Sequence, residues 1–308
     1  MNKRLSGSLL VAIAAFFFGL AHVLGPLTYG KEGNNVFTLL LLNNAFAAPV
    51  LAVIMKFFHV SFRCSRPAIF PLLALGILGT AGTSLLLNSS FLYAGVGIGS
   101  MLHMSYIIIV EITDSILLRQ RIRCITIITL IIVCLGVFFL SAGDLDGNYS
   151  ALGIILALLS GGFYALYWLG ISHTAAREEH PLRVQFYCTL FAAVIFFVYA
   201  SLSNQLAVAT MTYKAWALNF VCGILASVLA YLLTQVGIRQ AGAAEAAIMG
   251  TLEPITGVVL GCILLSESLT PLKVLGCLCI FTGILLKPLL QLLHNPLSTD
   301  SDRQDSAR

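Results

Sequence analysis

The chain of 308 residues is 59% apolar and only 10% charged, with a net charge of +4 and a mean hydropathy of +0.96. A water-facing surface needs roughly a quarter of charged residues, so a soluble enzyme, a nucleic-acid binder and a disordered chain are excluded and a polytopic membrane protein remains. At about 20 apolar residues per crossing, ten crossings leave only short loops, and function must reside in or between helices.

Ten apolar runs are predicted as membrane helices, at 5–25, 36–58, 69–92, 97–118, 122–142, 151–172, 184–203, 215–237, 243–265 and 271–292. Lys3 and Arg4 precede the first run, as they would in a signal peptide. That run is longer than a typical signal core, lacks a small-x-small cleavage site after it and has a counterpart in mid-chain, so it is read as a permanent helix. The breaks between runs are short, and the tail at 293–308 is read as disordered. Eight cysteines (Cys64, Cys124, Cys134, Cys188, Cys222, Cys262, Cys277 and Cys279) form no CxxC pair, which points to small core residues and away from a zinc site or disulfide framework.

Charge sets the orientation. With a cytoplasmic N-terminus, 14 of the 17 Lys and Arg residues fall inside (Lys3, Arg4, Lys56, Arg63, Arg66, Arg119, Arg121, Arg123, Arg177, Arg183, Arg239, Lys287, Arg303 and Arg308), and only Lys31, Lys214 and Lys273 fall outside. Both termini are therefore expected in the cytoplasm, with a bacterial inner (plasma) membrane as the expected location.

The most informative feature is an internal repeat. A shift of 147 residues lays Gly76 on Gly223, Ala94-Gly95 on Ala241-Gly242, Leu117-Leu118 on Leu264-Leu265 and Gly136 on Gly283; a shift of 146 lays Gly7 on Gly153 and Phe17 on Phe163. The units are 1–142 and 151–292. Five helices per unit is an odd number, so the second enters the membrane upside down, the arrangement associated with alternating-access transporters. GxxxxGK[ST] is absent, so energy is expected from a gradient of substrate or ion.

The segment Ala241 to Leu286 carries Pro254 in the ninth helix, Leu264-Leu265-Ser266-Glu267 at its end, then Leu269-Thr270, Gly276 and Gly283. It resembles the second repeat of the EamA-type branch of the drug/metabolite transporter superfamily, and the resemblance extends over nearly the whole chain. It implies an all-α fold of ten helices around a central cavity, small amphipathic substrates such as amino acids, cationic drugs or activated metabolites, and no cofactor. The first half departs from the pattern, with Ile107 in place of the proline and Gln120 in place of Glu267.

Ionisable groups inside spans are costly and need an explanation. Glu253 lies mid-span with Pro254 after it; a carboxyl beside a broken turn can bind a cation or a proton, or it can be a protonated packing group. His103, Ile107, Glu111 and Asp114, spaced by 4, 4 and 3, share one helical stripe. They form either a polar track or, for Asp114, a counter-ion to the Arg119 to Arg123 loop and, for Glu111, a packing contact. Glu245 opens the ninth helix, where the dipole favours a carboxylate, and Glu267 and Asp144 sit at span ends. Tyr164, Tyr167 and Trp168, Tyr231 with Gln235 one turn on, and Asn88 (the repeat partner of Gln235) form a candidate binding wall. Tyr106 is the repeat partner of Glu253, and His22 that of Trp168. Aromatic faces beside carboxylates suit an organic cation or zwitterion; helix packing or interfacial anchoring is the plainer alternative. Asn43 and Asn44 are read as interhelical hydrogen-bond partners.

The expected function is secondary transport of a small polar or amphipathic metabolite, proton-coupled or by exchange. The alternatives are a receptor, a scaffold or a membrane-embedded enzyme. Expected partners are a small-molecule substrate and lipid, with no nucleic acid. Gly136, Gly276 and Gly283 permit close packing of the fifth and tenth helices, within one chain or between two in a homodimer.

Overall fold

The computed structural model describes residues 3–120, 122, 124–141, 150–265 and 270–294, and its regular structure is helical throughout. Arg121, Arg123, Asp144, Glu267 and the tail from 295 onward lie outside the described residues. Eight helical segments are long and apolar enough to cross a membrane: α1 (Lys3–Thr28), α2 (Val36–Phe57), α3 (Arg66–Ala94), α4 (Ile98–Leu117), α6 (Ala151–His173), α7 (Pro181–Leu202), α8 (Tyr213–Ala241) and α9 (Ala243–Leu264). Two shorter apolar helices, α5 (Cys124–Leu140) and α10 (Pro271–Leu286), complete the ten. The last helix continues to His294, past the start expected for the tail.

Asn35, Ser150 and Thr212 begin α2, α6 and α8 by accepting hydrogen bonds from Thr38 N, Leu152 N and Ala215 N. His59 and Asn204 end α2 and α7 in the left-handed conformation. Two six-residue closures, Val60 N to Met55 O and Gln205 N to Ala200 O, satisfy the terminal carbonyls there.

The repeat is visible as repeated irregularity. Helix α3 widens to π geometry at Leu75–Gly82 and α8 does so at Gly223–Ala230, each over 8 residues. Helix α4 breaks at Met104 and Ser105, and α9 breaks at Thr251, 147 residues after Met104. The proline was expected to cause the second break. Instead Pro254 lies in the first turn of the resumed helix, where a missing N–H costs nothing, and α4 breaks at the matching place with Ile107 there.

The loops repeat as well. Glu32, between α1 and α2, accepts the Thr212 hydroxyl and Lys214 Nζ (3.0 Å), while its carbonyl accepts Thr212 N (3.1 Å). Glu179, between α6 and α7, accepts Ser65 N (2.7 Å) and the Arg183 guanidinium. Glu32 and Glu179, like Ser65 and Thr212, are 147 residues apart. One staple therefore occurs twice, once on each face, as inverted repeats require.

The repeats interlock. Helix α1 packs on α8 and α9, where a Cβ on Gly7 would lie 2.9 Å from Gly237 O and one on Gly19 3.1 Å from Glu253 O. Helix α6 packs on α3 and α4 in the same way, through Gly153 against Ala94 and Gly161 against His103 O (2.7 Å). Gly223 on α8 meets Asn43 of α2, and its counterpart Gly76 on α3 meets Phe191 and Cys188 of α7. The packing units are thus α1, α2, α8, α9 and α3, α4, α6, α7, each drawn from both repeats. Helices α5 and α10 pack on each other within the chain: a Cβ on Gly136 would lie 2.9 Å from Gly276 O, and one on Gly283 would meet Val133.

Candidate functional site

The two breaks face each other across the junction of the packing units. Thr251 hydroxyl donates to Ile248 O (2.6 Å), a carbonyl at the break. Glu253 follows in the first turn of the resumed helix, where free backbone N–H groups and the helix dipole favour negative charge. Its Oε1 lies 3.2 Å from Nδ1 of His22 on α1. His22 is on nearly the opposite side of α1 from the exposed, lipid-facing Leu5, Leu9, Ile13 and Phe16. Its side chain nevertheless keeps 65% of its accessible surface, and that of Glu253 keeps 20%. The pair therefore borders a vestibule inside the bundle. His22 is in the last third of α1, so the vestibule lies toward the face away from the chain ends.

Nearer the termini the space closes. Val11, Ala15 and Phe18, on the same α1 stripe as His22, join Tyr164, Trp168, Thr234, Gly250 and Glu253 around a cavity of about 10 Å³, room for about one water.

The opposite wall is aromatic. Tyr106 opens the second segment of α4 and stacks on Trp168 of α6, with centroids 5.7 Å apart. Tyr164 meets Tyr106 edge-on at 4.8 Å, and Tyr167 meets Tyr231 at 5.4 Å. The indole Nε1 of Trp168 and the Oε1 of Gln235 are buried without a hydrogen-bond partner. His22–Glu253 and Trp168–Tyr106 are the same contact in the two repeats, at offsets of 146 and 147. One copy joins two ionisable side chains and is partly exposed; the other is aromatic and buried.

The remaining candidates are placed as follows. His103 is 8% exposed and stacks on Tyr164 at 5.2 Å. Its Nδ1 donates to Ser160 Oγ (2.9 Å), whose own proton goes to Ala157 O. Ile107, Glu111 and Asp114 on the same stripe are all buried. Asp114 pairs with His173 Nε2 at 2.5 Å, because α4 and α6 run parallel and their ends meet; Arg121 and Arg123 of the loop expected to face it lie outside the described residues. Gln235 donates to Tyr167 Oη (3.1 Å) and Gln185 Oε1 (2.7 Å) behind the aromatic wall. Asn88 turns back to Ser84 O on its own helix (2.8 Å), outside the cluster. Ser8 reaches Glu245 at 3.4 Å, far from the break, and Asn44 donates to Leu40 O in its own helix.

Sequence reasoning did not single out Gln185, Thr234, Gly250 or Arg239. Gln185 was legible as a polar residue near the start of an apolar run. Arg239 was assigned to a loop, but α8 extends to Ala241. Its guanidinium donates to Glu179 O (2.5 Å) and Ala176 O (2.9 Å), tying the two packing units at the face of the termini. Its repeat counterpart is Leu92, which cannot make such a tie on the other face.

Interlocked inverted repeats around discontinuous helices define a membrane protein of the ten-helix transporter class. Residues 5–142 and 151–287 match the EamA-like transporter family, and the chain belongs to that family. It is 26% identical over 288 residues to the uncharacterized transporter YwfM of Bacillus subtilis (strain 168), covering 90% of this chain and 92% of that one. It is 24% identical to the uncharacterized transporter sll1319 of Synechocystis sp., covering 92% and 94%. A solved crystal structure superposes with a TM-score of 0.80 at 16% identity, covering 93% of this chain and 98% of the other, a likeness of fold.

Proposed function

We propose that this chain is a secondary transporter for a small amphipathic cation or zwitterion, such as an amino acid or organic amine, working by alternating access. The observation that carries the reading is the divergence of one repeated contact into an ionic wall, His22–Glu253, and an aromatic wall, Trp168–Tyr106. A ligand with a cationic head and an apolar body fits between them, its head on the Glu253 carboxylate and its body against the rings. For a zwitterion, the unpartnered Trp168 N–H is a donor available to the anionic end. The vestibule beyond His22 and the Arg239 tie support an arrangement open away from the termini and shut toward them. With the positive-inside distribution, the shut face is the cytoplasmic one.

Reconstituted vesicles test this with counterflow of radiolabelled amines and amino acids. Glu253→Gln keeps the shape and removes the charge, and uptake of the transported cation is expected to fall by roughly a hundredfold, as for a lost charge-assisted contact. Unchanged uptake by that variant contradicts the reading.

A further inference from the structure

Resting on that reading, we infer that His22 is a tethered stand-in for the substrate's cation, and that the arriving substrate displaces it from Glu253 with release of its proton. Protonated His22 holds Glu253 Oε1 at 3.2 Å and occupies the position an ammonium would take. His22 keeps 65% of its side-chain surface accessible, so it can swing off the carboxylate and pass a proton to vestibule water. The Glu253 side chain, at 20%, cannot follow.

The exchange balances. Before it, the site holds an imidazolium and a carboxylate. After it, the site holds the substrate cation, the same carboxylate and a neutral imidazole, and one proton has left Nδ1 for water. The charge of the site does not change, which matters where uncompensated charge is costly. The repeat supports a role beyond packing, because at the counterpart contact packing is achieved by Trp168 and Tyr106 with no ionisable imidazole.

Other titratable groups face this pair. Glu253 is approached by Tyr106 on α4, Tyr164 on α6 and Tyr231 on α8. His103 on α4 faces His22, and Cys222 on α8 contacts Ala21 O. Phenols and the thiol ordinarily ionise well above the histidine range. Glu245 on α9 is at Ser8, near the other end of α1. His103 is therefore the competing source of the proton, and it is held by Ser160.

The test is calorimetric binding of phenylethylamine to the full-length purified protein in buffers of different ionisation enthalpy. The unaltered protein is expected to release close to one proton per ligand and to bind roughly tenfold more weakly per pH unit of acidification through the histidine range. His22→Asn is expected to abolish the release and flatten the pH dependence, and His103→Gln to keep both. His22→Lys, a cation that cannot be shed, is expected to block binding across that range. Thermal melts show which variants are folded. Proton release that persists in folded His22→Asn overturns the inference and leaves the transport reading standing. Absence of phenylethylamine binding by the unaltered protein, or binding that survives Glu253→Gln, overturns the transport reading itself.

Discussion

Glu253, Tyr106, His22 and Trp168 show what different residues at both members of a repeated contact do. The offset alone paired Glu253 with Tyr106 and His22 with Trp168, so the pairing was legible in the sequence. That each partner of one pair touches a partner of the other was not, because it depends on the approach of α1 to α9 and of α6 to α4. His103 shows the opposite limit: its stripe correctly turned it inward, but only the fold supplies Ser160. Gly250 carries no sequence signal at all, yet a Cβ there would lie 2.8 Å from Tyr106 Oη and 3.4 Å from Trp168. Gly250→Val is expected to lower uptake by roughly tenfold or more by overpacking the junction. Gly257→Val on the same helix, where nothing lies within 4 Å, is expected to transport normally. Equal effects in the same vesicle assay would remove Gly250 from the site.

At the scale of elements, the hydropathic runs located all ten helices to within a few residues, since a span must be both long and apolar. They could not show the π segments or the break at Thr251, which arise from packing and not from composition. The staples are a second such feature. Burial disfavours the Glu179 carboxylate, but the bonds from Ser65 and Arg183 outweigh it and hold its pKa below the usual range. A lowered folded pKa means that the staple's contribution is present above the ordinary carboxylate pKa and is lost as pH falls through the lowered value. Glu179→Gln is expected to cost about 1–3 kcal/mol near neutral pH, read as a fall in Tm that narrows at strongly acid pH. Glu32→Gln on the less buried counterpart, whose side chain is 21% exposed and whose Lys214 partner is 63% exposed, is expected to leave Tm unchanged. A larger effect at Glu32 would contradict the burial difference between the staples.

For the whole molecule, the inverted repeat was legible from a near-constant offset, and the closed point group it implies explains why both cavity walls come from both halves. The packing units were not legible. The halves of the sequence are not the halves of the structure, because α1 and α2 join α8 and α9 while α6 and α7 join α3 and α4. In the proposed alternating access, the composite bundles tilt about the α2–α7 contact, where Phe37 meets Tyr199 at 4.8 Å, and the Arg239 tie, which has no counterpart at Leu92, favours one tilt. On that proposal, removing the tie is expected to lower the cost of the opposite tilt without touching the Glu253 pocket.

Side-specific labelling tests the rocking account most directly. A cysteine replaces His22 in a cysteine-free background in oriented vesicles and is treated with a membrane-impermeant thiol reagent from either face. With Arg239 present, labelling is expected only from the face away from the termini. With Arg239→Ala added, labelling from the terminal face should appear while that from the other face declines. Labelling from one unchanged face in both proteins, or from both faces equally in the presence of Arg239, would contradict alternating access at this site.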